Sequence, residues 1–275
     1  MKKIGFFALA VLTACSSDNG EERVFSGLPA ENETVTINFS PYQMEAMTRS
    51  AVSIADVVNH LDVWIYESGS EVTSAHQSTS DADFGSVSVT LDKTKTYTLY
   101  AIGHKADGAT LADGVISFTD DKTTHAMYYT TTFSPATTTS LNCLMNRIVA
   151  DFRMEIIDEI PAECKKFRFM VSGVYDRWSV TTGATHGINR VSTINYVGTS
   201  AIFNIYAITT DAQTLHTVTV EALDENDTVI QSRVFENVPL RNGYKTNYRG
   251  TFFIDSEFTS SFTVNDWNEY NVVNF

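Results

Sequence analysis

The residues that could do chemistry are few and widely spaced. Six histidines, His60, His76, His104, His125, His186 and His216, are scattered, with no pair four apart and no cysteine at zinc-ligand spacing. Each reads as an isolated surface or turn histidine, and no metal site or cofactor is expected. Two acidic stretches, Asp81-Ala82-Asp83 and Asp224 to Asp227, carry carboxylates that suit calcium. Neither has the spaced loop with a glycine and a distant glutamate that a calcium loop needs, so both read as solvated turns. No Gly-x-Ser-x-Gly elbow, phosphate-binding loop or dinucleotide glycine triplet is present, and an enzyme is not expected. The three cysteines are Cys15, Cys143 and Cys164, too few for a disulfide scaffold. Cys143 and Cys164 read as two buried thiols.

Cys15 is different because of what surrounds it. Lys2 and Lys3 precede an apolar run from Ile4 to Leu12, which ends in Thr13-Ala14-Cys15 and then Ser16, Ser17 and Asp18. A basic start, a short apolar middle and a small-residue end are the order of a secretory signal. A spanning helix needs about 20 apolar residues, about twice what this run supplies. Leu12-Thr13-Ala14-Cys15 resembles the lipobox of bacterial lipoproteins, which implies removal of residues 1–14 and a lipid on Cys15. Acyl chains hold by burying methylenes, each worth about 0.8 kcal/mol, so two or three chains anchor firmly.

Losing residues 1–14, which contain two lysines and no acid, shortens the chain from 275 to 261 residues and takes its net charge from −14 to −16. So acidic a chain is not a nucleic-acid binder. Residues 15–33 are polar and acidic and read as a flexible leader that buries too little surface to order itself. The rest alternates with the period of strands. Val35 to Phe39, Val63 to Tyr66, Val87 to Leu91 and Tyr97 to Ile102 lie in the first half. Ile148 to Ile157, Phe167 to Val171, Ala201 to Ile208, Leu215 to Leu223, Val229 to Phe235 and Tyr248 to Ile254 follow, with a hairpin turn at Asp224 to Asp227. The stretch from Ser68 to Gly85 reads as turn-rich, and Ser53 to His60 as one short helix capped by Ser53. The pattern specifies an all-β protein of two tandem β-sandwich domains, at 34–145 and 146–275.

One arginine stands out. Ala46-Met47-Thr48-Arg49-Ser50-Ala51 places it between the first strand and the short helix. Lipobox, acidic leader, one strand and then a Thr-Arg step resemble the Bacteroidales fimbrillins, the subunits and anchors of the type V pilus. Asn146 to Phe152 with Pro161, Val180 to Gly183, Val238 to Gly243 and Gly250 to Phe253 are similar to later parts of that family. The resemblance implies that the two β-sandwiches are transthyretin-like, that an arginine-specific protease cleaves between Arg49 and Ser50, and that the first strand is lost. It also implies polymerisation as a strand of the next subunit takes the vacated place. Its implied partners are other pilus subunits, the outer membrane through the lipid on Cys15, and a host or bacterial surface ligand. The implied location is the outer membrane surface and the fimbrium, to which Asp18, Glu21 and Glu22 are similar as surface-export signals. Trp267 to Phe275 reads either as a donated strand or as the last strand of its own sheet.

A competing reading is a surface lipoprotein that binds carbohydrate. Its signature is an exposed aromatic platform, for which Tyr175, Trp178 and Trp267 are the candidates.

Overall fold

The computed structural model describes residues 31–41, 53–119, 125–198 and 201–254, and the backbone of 261–266. From Glu31 onward the chain is one compact unit. Its strands are β1 (Asn32–Pro41), β2 (His60–Glu67), β3 (Ser70–Ser78), β4 (Ser86–Asp92), β5 (Tyr97–His104), β6 (Ala109–Ala112), β7 (Val115–Phe118), β8 (Ala126–Phe133) and β9 (Ser140–Arg147). They continue as β10 (Val149–Ile156), β11 (Lys166–Ser179), β12 (Gly183–Asn195), β13 (Ile202–Ile208), β14 (Thr214–Leu223), β15 (Val229–Leu240), β16 (Tyr244–Gly250) and β17 (Ser261–Asp266). The protein is all-β, as its alternating pattern requires. No helix among the described residues is long and apolar enough to cross a membrane.

The first sheet runs β3-β2-β5-β8-β9-β1-β4, and the second β15-β14-β11-β13-β10-β16-β17 with β12 also on β11. Each curls over its own apolar filling. Val35, Ile37, Phe39, Leu61, Val63, Ile65, Leu99 and Met127 fill the first lobe. The second lobe holds an aromatic set of Phe152, Phe167, Phe169, Phe203, Phe235, Tyr248 and Phe252. The rings of Phe167 and Phe203 lie 4.6 Å apart, and those of Phe152 and Tyr248 5.4 Å apart. Offset and edge contacts of this kind add to the burial of ring surface.

The lobes share a strand plan. In the first, β1 lies parallel to β9 and antiparallel to β4; in the second, β10 lies parallel to β16 and antiparallel to β13. Both opening strands are therefore inner strands, read on two sides. Hairpins elsewhere use turn residues with positive φ. Ser68-Gly69 joins β2 to β3 at φ 49° and 85°, and Asp113-Gly114 joins β6 to β7 at 50° and 73°. Positive φ at both central positions matches the right-handed twist of the flanking strands.

Several expectations change. Ser53 does cap a helical turn, with its side chain accepting from Ala55 N–H and Asp56 answering back, but the turn is 3₁₀ and covers only Ile54–Asp56. Val57 and Val58 are β-branched and both buried, and by His60 the chain is already strand. Ser68 to Gly85 is not all turn, since it holds β3, an edge strand whose apolar residues are too sparse to announce it. Tyr248 to Ile254 is not one strand. β16 stops at Gly250, and the Asp158 carboxylate then accepts from the backbone N–H groups of Phe252, Phe253 and Ile254. Arg233 holds the same segment from the other side through the carbonyls of Phe252 and Ile254.

Cys143 and Cys164 are both buried and unpaired. Burial pushes the Cys143 thiol up to about 12 and raises that of Cys164, so both are inert fillers.

Candidate functional site

The feature with the clearest capacity for function is β1 and the slot it occupies. Alternation in Val35-Thr36-Ile37-Asn38-Phe39 sends Val35, Ile37 and Phe39 into the core. Fully burying such side chains stabilises by about 1.5–3 kcal/mol each. Thr36 to Pro41 pair in register with Ser140 to Met145 of β9, and Asn32 to Asn38 with Asp92 to Ser86 of β4. Ser86 Oγ donates to Asn38 Oδ1 at 3.0 Å, and the Thr34 and Thr90 hydroxyls meet at 3.1 Å. Lys93 pairs with Glu31 where the strand begins. At its far end Phe39 N–H donates to Gly85 O at 2.8 Å. Gly85 has φ 91°, and a Cβ there would meet Ile54 Cγ2 at 2.8 Å, so the close approach requires glycine.

This placement has a mechanical consequence. Among the described residues β4 joins the first sheet only through β1. Removing β1 would leave two unpaired backbone edges, on β4 and β9, and three empty apolar positions between them. What chemistry this slot has is that of backbone hydrogen bonding and alternate side-chain pockets. Among the described residues no group of three or more His, Cys, Asp or Glu is placed to hold a metal ion. Asp81 instead accepts from Ser78 N–H, and Asp224 from the N–H groups of Asn226 and Thr228, each closing its own turn.

The other residues singled out above fall in two groups. Cys15, Arg49, Ser50 and Trp267 lie outside the described residues. Tyr175 and Trp178 lie on β11, in a third apolar cluster between the lobes with Trp64, Ile102, Ile116, Phe118, Tyr128, Ile148, Val149 and Ile208. Trp178 is 8% exposed and its ring sits 5.6 Å from that of Tyr128, while Tyr175 is half-buried. Trp178 is therefore core and offers no open ring face.

The histidines are not all isolated. His60, His76 and His104 sit on adjacent strands β2, β3 and β5, and the ring of His60 stacks on the other two at 5.5 and 5.4 Å. Asp62 serves both neighbours, with His76 Nδ1 and His104 Nε2 each 2.7 Å from one of its oxygens. His60 and Asp62 are two apart and so share a face of β2, which the sequence displays. Their partners come from strands 14 or more residues away, and only the pairing of β2 with β3 and β5 reveals them.

No family model matches the chain, and no curated protein matches it. Solved structures do. A candidate adhesin from Bacteroides thetaiotaomicron aligns at a TM-score of 0.53 with 12% identity, over 87% of this chain and 98% of that one. A candidate cell adhesion protein from Bacteroides uniformis aligns at 0.53 with 13% identity, over 86% and 99%. A candidate polysaccharide-binding protein from Bacteroides thetaiotaomicron aligns at 0.52 with 9% identity, over 86% and 96%. The chain thus shares the fold of these Bacteroides proteins over most of its length.

Proposed function

We propose that this protein is a lipid-anchored, fimbrillin-like structural subunit or anchor of an adhesive surface pilus. Cys15 carries the lipid that delivers it to the outer surface of the outer membrane. Cleavage between Arg49 and Ser50 frees β1, and an extended segment of a neighbouring subunit pairs with β4 and β9 in its place. The observation that carries this reading is the inner position of β1, directly before the segment that holds Arg49. An edge strand could leave with little effect, whereas an inner strand leaves a slot matched to one extended segment. The fold shared with candidate adhesins supports a structural and adhesive role over a catalytic one.

The test is mass spectrometry of the N-terminus, on protein from native outer membrane and from sheared surface filaments. A filament fraction that begins at Ser50 supports a cleaved, polymerising subunit. A chain that begins only at acylated Cys15, with Arg49 intact, rules out polymerisation by this route and leaves a pilus anchor or a surface binding lipoprotein.

A glycan-binding reading draws on the candidate polysaccharide-binding neighbour. With Trp178 in the core it rests on Tyr175 and Trp267, and a glycan-array signal lost on Trp267→Ala would establish it.

A further inference from the structure

β1 is held by contacts that lie on the far side of Arg49. Asn32 to Asn38 pair antiparallel with Asp92 to Ser86 of β4, and Thr36 to Pro41 pair parallel with Ser140 to Met145 of β9. Just before the strand, Lys93 N–H donates to Glu31 O at 3.0 Å, and the Lys93 ammonium meets the Glu31 carboxylate. Val35 and Ile37 are fully buried, and Phe39 is 6% exposed, in a filling whose other members all come after residue 50. Hydrolysis of the Arg49–Ser50 peptide bond therefore breaks that bond alone. It does not touch the ladder, the ion pair or the apolar contacts of β1.

Leaving the slot empty is costly. Among the described residues β4 joins its sheet only through β1, so a vacant slot would cut β4 loose, open the edge of β9 and wet three apolar positions. Exchange for another strand avoids these losses, because incoming backbone groups and side chains replace the outgoing ones. The pairing also gives exchange a place to start. Thr36, Ile37 and Asn38 are paired on both sides, whereas residues 32–35 pair, among the described residues, with β4 alone, and Ser40 and Pro41 with β9 alone. An incoming strand can therefore begin to pair at either end while the centre still holds.

Resting on the cleavage proposed above, we infer that the cut leader, residues 15–49, stays in the slot as a non-covalent strap and ties the cleaved subunit to the membrane until a neighbour's segment displaces β1. Release from the membrane is then coupled to assembly and not to proteolysis. A subunit whose slot no neighbour fills keeps its own lipid-bearing leader. The same chain thus serves as a repeating subunit along a filament and as the anchor at its end.

The test uses residues 16–275 with an affinity tag at the N-terminus in place of the lipid, and a site-specific protease recognition sequence in place of residues 46–51. The chain is captured on resin through its tag and cut to completion. The body of the protein is expected to stay on the resin through washing, and to leave when a peptide of Asn32 to Pro41 is added in excess. Ile37→Ala, which empties part of one pocket, should speed its loss at least about tenfold. A body that washes away on cutting, a body that excess peptide fails to release, or an unchanged rate in a folded Ile37→Ala variant would each overturn the proposal. Because the experiment supplies its own cut, it fails only if the slot does not hold the leader. Whether Arg49 is cut on the cell is decided separately, by the N-terminal mass spectrometry above.

Discussion

Asp151 shows how a single buried group makes stability depend on pH. Its carboxyl is 1% exposed, with Oδ2 3.4 Å from Lys245 Nζ and Oδ1 without a partner. Desolvation outweighs the pull of Lys245, Arg153 and Arg147 and pushes it up to about 6. In the unfolded chain the same group ionises near its usual value of about 3.9, so the stability it contributes is present at low pH and lost as pH rises. Wild-type protein should therefore lose on the order of 3 kcal/mol from this group between about pH 4 and pH 6. Asp151→Asn removes that slope and leaves a constant offset from the lost ion pair with Lys245. Urea unfolding of both proteins across this range checks it, and parallel pH profiles would refute it. A sequence shows Asp151 only as a polar residue inside an apolar strand, Ile148 to Ile157. The cost of placing it there comes from β13 and β16 closing over it on either side.

Among elements, β1 carries the proposed function and also the sharpest expectation. Its pattern is readable because Val35, Ile37 and Phe39 alternate with polar residues, and one buried face is all that alternation encodes. The identity of its neighbours is not encoded locally, because β4 and β9 lie about 50 and 100 residues away and a strand fits any edge with backbone groups to offer. A chain that starts at Ser50 should bind a synthetic peptide of Asn32 to Pro41, and bind the Ile37→Asp/Phe39→Asp peptide not at all, because each charge would be buried without a partner. Isothermal titration calorimetry decides it, and equal binding of the two peptides would show that the slot does not read side chains. Two of the strands the sequence conceals, β3 and β12, are polar ones at sheet edges, where one face is solvated and apolar residues are sparse.

At the scale of the whole molecule, two lobes with separate fillings are tied by a third cluster and a hairpin that crosses from one to the other. Inter-lobe contacts of this kind couple the folding of both parts. At neutral pH the chain should unfold in urea as one transition, with tryptophan emission and circular dichroism coincident. Ile116→Asp, which sets a carboxylate in the cluster between the lobes, should separate that transition into two. A single unchanged transition in a folded Ile116→Asp variant would mean that the β6–β7 hairpin does not couple the lobes.

Sequence alone determined the class of this protein, because period-two alternation, β-branched content and turn residues such as Asp113-Gly114 act through neighbours a few positions away. It likewise marked Cys15, Arg49 and the inward face of β1, each by local pattern. Only the tertiary structure decided that β1 is an inner strand, that Trp178 is core, and that His60, His76, His104 and Asp62 meet. Each of those depends on which distant strands pair, and pairing is settled by the joint burial of all their apolar faces. No single stretch of chain contains that information.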